Sequence, residues 1–590
     1  EWTAYVHHNV MTQAGDRGWQ TVAQQVTHQS SYIPLYFVER ELKPLYQQRA
    51  GILAVALAEL GQPLEFEFPL SSGDRPKLRL GILAYHFAPQ TETFATLPVF
   101  QHLDRQQFEV ILLTIAPIEH RLAHHCAASV DSIVELPTSL PEQVQTIRNA
   151  DLDFLFIATN VTAIANSVAQ LAAYRLARVQ IVGMNSPVST GMPHIDYYLS
   201  TRLTNPAWDV QRHYSETVVQ LSGAAQCFDF ATESELLPTA AVSRESLGIS
   251  ADAVVFVSGA NFFKITPELD IAWAHIITRV PNAILLLYPF NPNWTNHYPV
   301  AAFRRRLMAH FADQGLDSNR LMLLESAPNR ADVIERLKLA DVYLDSYPFS
   351  GMTSLLEPLE IGLPPIVVET DVPVSLGRGA AFLRELQVPE LIVDGAAAYI
   401  DLAIALGTDP ARRQALGDRI RQAMGRKPSF FDSERYGAEL SIVFQSLFHT
   451  YQHTHLAQTL RLQKTNLIAF PDWQQPEEIL FETLIELLQT VLTSGDRQHT
   501  TLLIYTGDFD PEAADLLLSS VTLDLLAETD LDLDDDSAPE ITLLPPLPPA
   551  QWQVLLSHIT SRLALTYEDE AAIAQSGTAE IPIESGKDKG

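Results

Sequence analysis

Two cysteines, Cys126 and Cys227, are all that the 590 residues contain. They lie far apart and outside any CxxC spacing, which excludes a disulfide scaffold and a closely spaced structural zinc site. A reducing cytoplasm is the setting we expect. Positive charge is also scarce, with 39 Lys and Arg against 71 Asp and Glu and a formal net charge of -32. A chain this acidic repels nucleic acid and anionic membrane in bulk, so only local basic points inside a cleft could hold a phosphate. No apolar run approaches the roughly 18 residues of a spanning helix, and no signal-peptide pattern opens the chain. It begins with Glu1 rather than Met, which leads us to expect a trimmed product with sequence upstream.

Hydrophobic residues make up 47% and charged residues 19%, a globular composition, in a chain too long for one core. The acidity is uneven: residues 471–590 hold 24 Asp and Glu against 4 Lys and Arg, so -20 of the -32 belongs to the last fifth. We therefore expect five parts. Residues 1–76 read as a helical segment and linker, with the helix formers of 52–60 stopped by Gly61 and Pro63. Residues 77–245 and 246–455 each alternate short apolar runs with helical stretches, the pattern of parallel sheets covered on both faces. Residues 465–570 form a small acidic α/β domain, and 571–590 a flexible tail. The run Asp530 to Asp536 lacks the glycine and terminal glutamate of a calcium loop and is read as solvated. The fold class is α/β, two facing doubly wound lobes with a helical N-terminal segment and a small C-terminal domain. Ligands in such sheets sit beyond the carboxyl ends of the strands.

Two segments at such ends carry chemistry. Asn261 to Glu268 follows a strand, with Thr266 as N-cap and Pro267 at the first helical position; Lys264 offers a point charge for a phosphate. Asp345 to Glu360 runs from a strand through Ser350-Gly351-Met352 into a helix near Thr353. Its first amides make an anion site, Thr353 and Ser354 add hydroxyls, and Glu357 could accept from ribose hydroxyls. The bland alternatives are an exposed loop lysine and an ordinary capped helix. His124-His125-Cys126 lacks partners at ligand spacing, and His449, His453 and His455 read as surface residues. Neither a metal nor a cofactor is expected.

The ordered series of segments resembles glycosyltransferase family 41, the O-linked N-acetylglucosamine transferase and SPINDLY type with a GT-B fold. The resemblance rests on 77–98, Arg175 to Gln180 with Pro187, Gly191 and Asp196-Tyr197, His213 to Glu216, Asn261 to Pro267, Ala340 to Asp345, Ser350 to Glu357 and Phe431 to Tyr436. It implies a UDP- or GDP-sugar donor, a protein or peptide hydroxyl acceptor, an inverting metal-independent reaction and helical repeats upstream. It also implies roles: Lys264 stabilises the leaving diphosphate, Thr353 and Ser354 are the paired hydroxyls, Glu357 takes the place of a ribose-binding aspartate, Arg330 lies near the nucleobase and Asn261 near the phosphates.

The departures are as informative. Gln90, Met352 and Val333 stand where the family has histidines, Glu335 where it has an arginine, and Asn160-Val161-Thr162 where it has G-x-T. For the acceptor base, His86 beyond the first strand is the leading candidate, with Glu92 and Asp153 behind it. The competing expectation is a catalytically degenerate scaffold serving as a nucleotide-sugar-binding or protein-interaction module.

Overall fold

The computed structural model describes residues 1–13, 15–69, 75–239, 241–288, 300–375, 377–528 and 538–584. The chain divides into two compact units, Glu1–Glu67 with Lys77–Val443, and Phe68–Pro76 with Phe444–Gly590. The segment read as a linker is thus shared between them. The acidic run 530–536 falls outside the described residues.

The first unit contains two parallel sheets. One has seven strands, β1 (Leu78–Ala84), β2 (Phe108–Thr114), β3 (Ser132–Glu135), β4 (Phe154–Ile157), β5 (Val179–Val182), β6 (Tyr197–Thr201) and β7 (Thr217–Leu221). Their order is β3-β2-β1-β4-β5-β6-β7. The other has six, β8 (Val254–Ser258), β9 (Ala283–Leu287), β10 (Leu321–Leu323), β11 (Val342–Leu344), β12 (Pro365–Val368) and β13 (Ile392–Val393), in the order β10-β9-β8-β11-β12-β13. In both, the chain runs outward from the first strand, returns, and runs the other way. The strand order therefore reverses between β1 and β4 and again between β8 and β11, and a crevice opens at each reversal. β1, β4, β5, β8, β9 and β11 are buried along nearly all their length, as two covered faces demand. β7 and β13 were not evident in the sequence: β7 is a half-exposed edge strand and β13 has two residues.

Helix Lys43–Ala58 packs on the first lobe through Ala50, Leu53 and Leu57, and helices Trp2–Thr12 and Arg17–Gln29 pack on that helix through Val6, Val10 and Ala23. Arg49 donates to Val161 O at 2.8 Å, and the Tyr46 hydroxyl to Thr162 O at 3.1 Å. The close approach fixes Gly191, which has φ +69 and whose added Cβ would lie 2.2 Å from the Tyr46 carbonyl carbon. The family-like block is largely scaffold: Arg175 grips Asp196 at 2.7 and 3.0 Å, and buried Glu216 accepts from Ser189 and the Thr190 amide at 2.8 and 2.7 Å.

The second unit holds a third parallel sheet of β14 (Thr465–Ala469), β15 (Thr500–Tyr505), β16 (Glu540–Leu544), β17 (Ser561–Leu563) and β18 (Ile583–Glu584), ordered β16-β15-β14-β17-β18. Helix Glu477–Leu492 buries Leu484, Leu487, Leu488 and Val491 against it. The stretch expected to be a flexible tail is structured to residue 584. Helix Glu570–Ser576 is capped by Asp569, its Ala572 and Ile573 enter the core, and β18 pairs with β17. Among the described residues no helix is long and apolar enough to cross a membrane.

Candidate functional site

Lys264 and the 345–354 loop meet at the reversal point of the second lobe. The loop is placed by its surroundings: buried Trp273 donates to the Tyr399 hydroxyl at 3.2 Å, and that hydroxyl donates to Asp345 O at 2.9 Å. Asp345, itself buried, accepts from Ser350 Oγ at 2.7 Å and from the Gly351 amide at 3.0 Å. Gly351 must lack a side chain, since a Cβ there would lie 2.5 Å from Ser354 Oγ and 2.7 Å from Asp345 Oδ1. The helix then runs Thr353–Ile361 with buried Met352 at its cap position. On the facing loop, Thr266 caps helix Pro267–Arg279 by accepting from the Leu269 amide at 3.3 Å, as the sequence indicated.

Lys264 Nζ donates to Ser350 O at 3.2 Å and lies 3.9 Å from the centre of the Phe349 ring. Part of the side chain remains accessible, yet desolvation of the ammonium and the charge of Arg378 push its pKa down to about 7, against the pull of Asp345. Burial in turn lifts Asp345 to about 6. Arg378 was missed in the sequence. It is buried, sits 5.1 Å from the same Phe349 ring, and donates from Nη2 to Met184 O at 3.3 Å. Its Nε is buried without a partner, and neither cation has a carboxylate within ion-pair distance among the described residues. The counter-charge felt by both cations is Asp345, itself pushed toward neutrality by burial, so an anion between them would lower the cost of burying them. A signal was available: Arg378 lies between Gly377 and Gly379 at the start of helix Gly379–Glu385, where a cation opposes the helix dipole. Asn261 Oδ1 is a further buried acceptor without a partner among the described residues.

Arg330 and Glu357, expected near the nucleobase and at the ribose, pair with each other. Arg330 Nε donates to Glu357 Oε1 at 2.9 Å, Nη2 reaches Glu360, and the guanidinium stacks 3.7 Å from the Phe230 ring centre. Burial raises the Glu357 pKa and Arg330 opposes that rise.

The first lobe meets this site through Thr91, whose Oγ1 lies 3.0 Å from Thr353 Oγ1. His86 is positioned differently from its expected role. Its Nδ1 accepts from the Ala88 amide at 3.2 Å, so the neutral ring carries its proton on Nε2 and offers a donor rather than a base. Burial also lowers its pKa. Asp153 lies immediately before β4, at the amino-terminal end of the strands and away from the crevice, where it accepts from the Arg79 amide at 2.8 Å. Glu92 is at the crevice and is discussed below. In the second unit, His453 directs Nδ1 to His558 Nε2 and Nε2 to His449 Nε2, both at 3.1 Å. Its two nitrogens therefore face different neighbours and share no common point. Among the described residues no group of three or more His, Cys, Asp or Glu could hold a metal ion.

Two doubly wound lobes with an anion-type loop at the reversal of the second define the GT-B class of fold. A mutant of the O-GlcNAc transferase of Thermobaculum terrenum shares it, with a TM-score of 0.58 and 23% identity over 77% of this chain and 81% of that one. Residues 222–440, which carry Lys264, Arg330, the 345–354 loop and Arg378, match the model of Glycosyl transferase family 41. Among curated relatives, the "Probable UDP-N-acetylglucosamine--peptide N-acetylglucosaminyltransferase SPINDLY" of Eustoma exaltatum subsp. russellianum is 27% identical over 52% of this chain and 31% of its own length. The "Probable UDP-N-acetylglucosamine--peptide N-acetylglucosaminyltransferase SEC" of Arabidopsis thaliana is 24% identical over 62% of this chain and 36% of its own length. The chain thus spans about a third of the length of the curated relatives it matches.

Proposed function

We propose that this chain transfers a sugar from a nucleotide diphosphate to a hydroxyl acceptor, with UDP-N-acetylglucosamine as donor and a protein Ser or Thr as acceptor. The observation that carries the reading is the pair Lys264 and Arg378, both desolvated, both without a carboxylate partner, and both against Phe349 beside the start of helix Thr353–Ile361. The diphosphate lies there, its charge met by the two side chains and the helix dipole. The hydroxyl attacks the anomeric carbon, the carbon–phosphate-oxygen bond breaks, and the departing diphosphate takes the electron pair. Fixed positive charge aimed at that developing anion is the largest source of rate in such a step. Lys264 and Arg378 supply two charges where other transferases use a divalent ion, which supports a metal-independent reaction. A single displacement inverts the anomeric centre. The names of the relatives supply the donor and acceptor, and the reducing setting suggested by two free, buried cysteines fits a cytoplasmic location.

Titration with UDP and GDP, alone and as sugar conjugates, tests this. Lys264→Ala and Arg378→Ala should each weaken nucleoside diphosphate binding and lower turnover by about 100-fold or more. Binding of none of these compounds by the folded protein would leave the interaction-module reading in its place. Near-normal turnover in either variant would remove that residue from the mechanism.

A further inference from the structure

The reversal point of the first lobe has no assigned role, and Glu92 occupies it. Glu92 stands in the first turn of helix Thr91–Phe100, beyond the carboxyl end of β1. Its Oε1 accepts from the Asn160 amide at 2.8 Å, and Asn160 follows β4. Glu92 and Asn160 therefore bridge the β1 and β4 loops as Lys264 and Ser350 bridge the β8 and β11 loops. The two crevices face each other along two routes. Along the chain, Thr91 next to Glu92 touches Thr353 at the anion loop, 3.0 Å away. Through space, the Asn160 side chain lies 3.5 Å from the Tyr36 hydroxyl, the Tyr36 ring 5.2 Å from the Phe349 ring, and Phe349 3.9 Å from Lys264 Nζ.

We infer that Glu92 is the general base that takes the proton from the acceptor hydroxyl. This rests on the transferase reading above. One carboxylate oxygen is held by the Asn160 amide; the other receives only the Gln90 side chain at 3.3 Å and keeps lone pairs for an incoming O–H. The proton passes from the acceptor oxygen to Glu92 as that oxygen bonds to the anomeric carbon and the diphosphate leaves toward Lys264 and Arg378. A base needs a proton affinity near the working pH, and burial supplies it by lifting the carboxyl to about 7 against the pull of the Asn160 amide. His86, by contrast, has its acceptor nitrogen occupied by Ala88.

The test measures nucleoside diphosphate release from UDP-N-acetylglucosamine, UDP-glucose and GDP-mannose, with water as acceptor, as a function of pH. Wild type should gain rate as pH rises through about 7. Glu92→Gln should bind UDP as wild type does, lose about 100-fold or more in turnover and lose that rising limb. Glu92→Asp should keep the limb at reduced rate, which a merely structural carboxylate would not require. Turnover of Glu92→Gln within roughly threefold of wild type, or an unchanged limb, overturns the role of Glu92 alone. Release from none of the donors by wild type overturns the transferase reading itself, and with it the role of Glu92.

Discussion

Thr353 Oγ1 at the start of the anion-site helix is 3.0 Å from Thr91 Oγ1 of the other lobe. The hydroxyl read from the sequence as a phosphate ligand is thus engaged across the cleft, and a bound phosphate competes with Thr91 for it. A neutral hydroxyl pair of this kind contributes about 1 kcal/mol, whereas a hydroxyl bonded to a charged phosphate contributes roughly twice that.

Replacing each threonine by valine should therefore act in opposite directions. Thr353→Val is expected to weaken UDP binding by about tenfold or more. Thr91→Val frees the Thr353 hydroxyl and should tighten binding by roughly twofold to fivefold, and that gain should vanish in the double variant. Calorimetric titration of the four proteins closes the cycle. Additive effects would show that the two hydroxyls do not compete.

Binding should also depend on pH through Lys264. Its pKa is pushed down to about 7, and a bound diphosphate restores the ammonium by raising it. Below 7 the lysine is already charged and affinity is level. Above 7 the site must take up a proton on binding, so affinity should fall by up to about tenfold per pH unit. Titrations at pH 8 in two buffers of different ionisation enthalpy read that uptake directly. Lys264→Arg, with a guanidinium that stays charged, should abolish it.

Parts of this site were legible because their signals are local. Thr266-Pro267 marks a helix start, and Ser350-Gly351 followed by Thr353-Ser354 marks a strand-to-helix turn, so Lys264 and the anion loop could be placed from residue types and spacing. Arg378 was not, because what distinguishes it is its burial with an Nε that has no partner among the described residues, a property of tertiary packing. Nor was Tyr36, whose ring reaches Phe349 from a distant part of the chain. Arg330 and Glu357 were each assigned a ligand contact, and nothing in their separate helices reveals that they pair. Among strands, β14 was overlooked: its five residues begin Thr-Asn, and only pairing with both β15 and β17 identifies them as the centre of the third sheet. His86 was legible in position but not in role, since the state of its Nδ1 depends on a backbone amide two residues on.

The half-buried Glu92 carboxyl should cost stability, and the sign can be measured. Its pKa is about 7 in the folded chain against an ordinary 4.5, so between those values the folded state binds more protons than the unfolded one. Folding stability from this group is therefore complete below pH 4.5 and is lost as pH rises toward 7, with no further change above. Glutamine mimics the protonated form. Glu92→Gln should match wild type in stability at low pH and exceed it by on the order of 2 kcal/mol at pH 8, in the same protein whose turnover falls. Urea denaturation of the two proteins at several pH values checks this, followed by fluorescence from the first unit. A Glu92→Gln protein less stable than wild type at pH 8 would mean that the carboxylate is held for the fold; a more stable one means that it is held ionised at a cost, as a base must be.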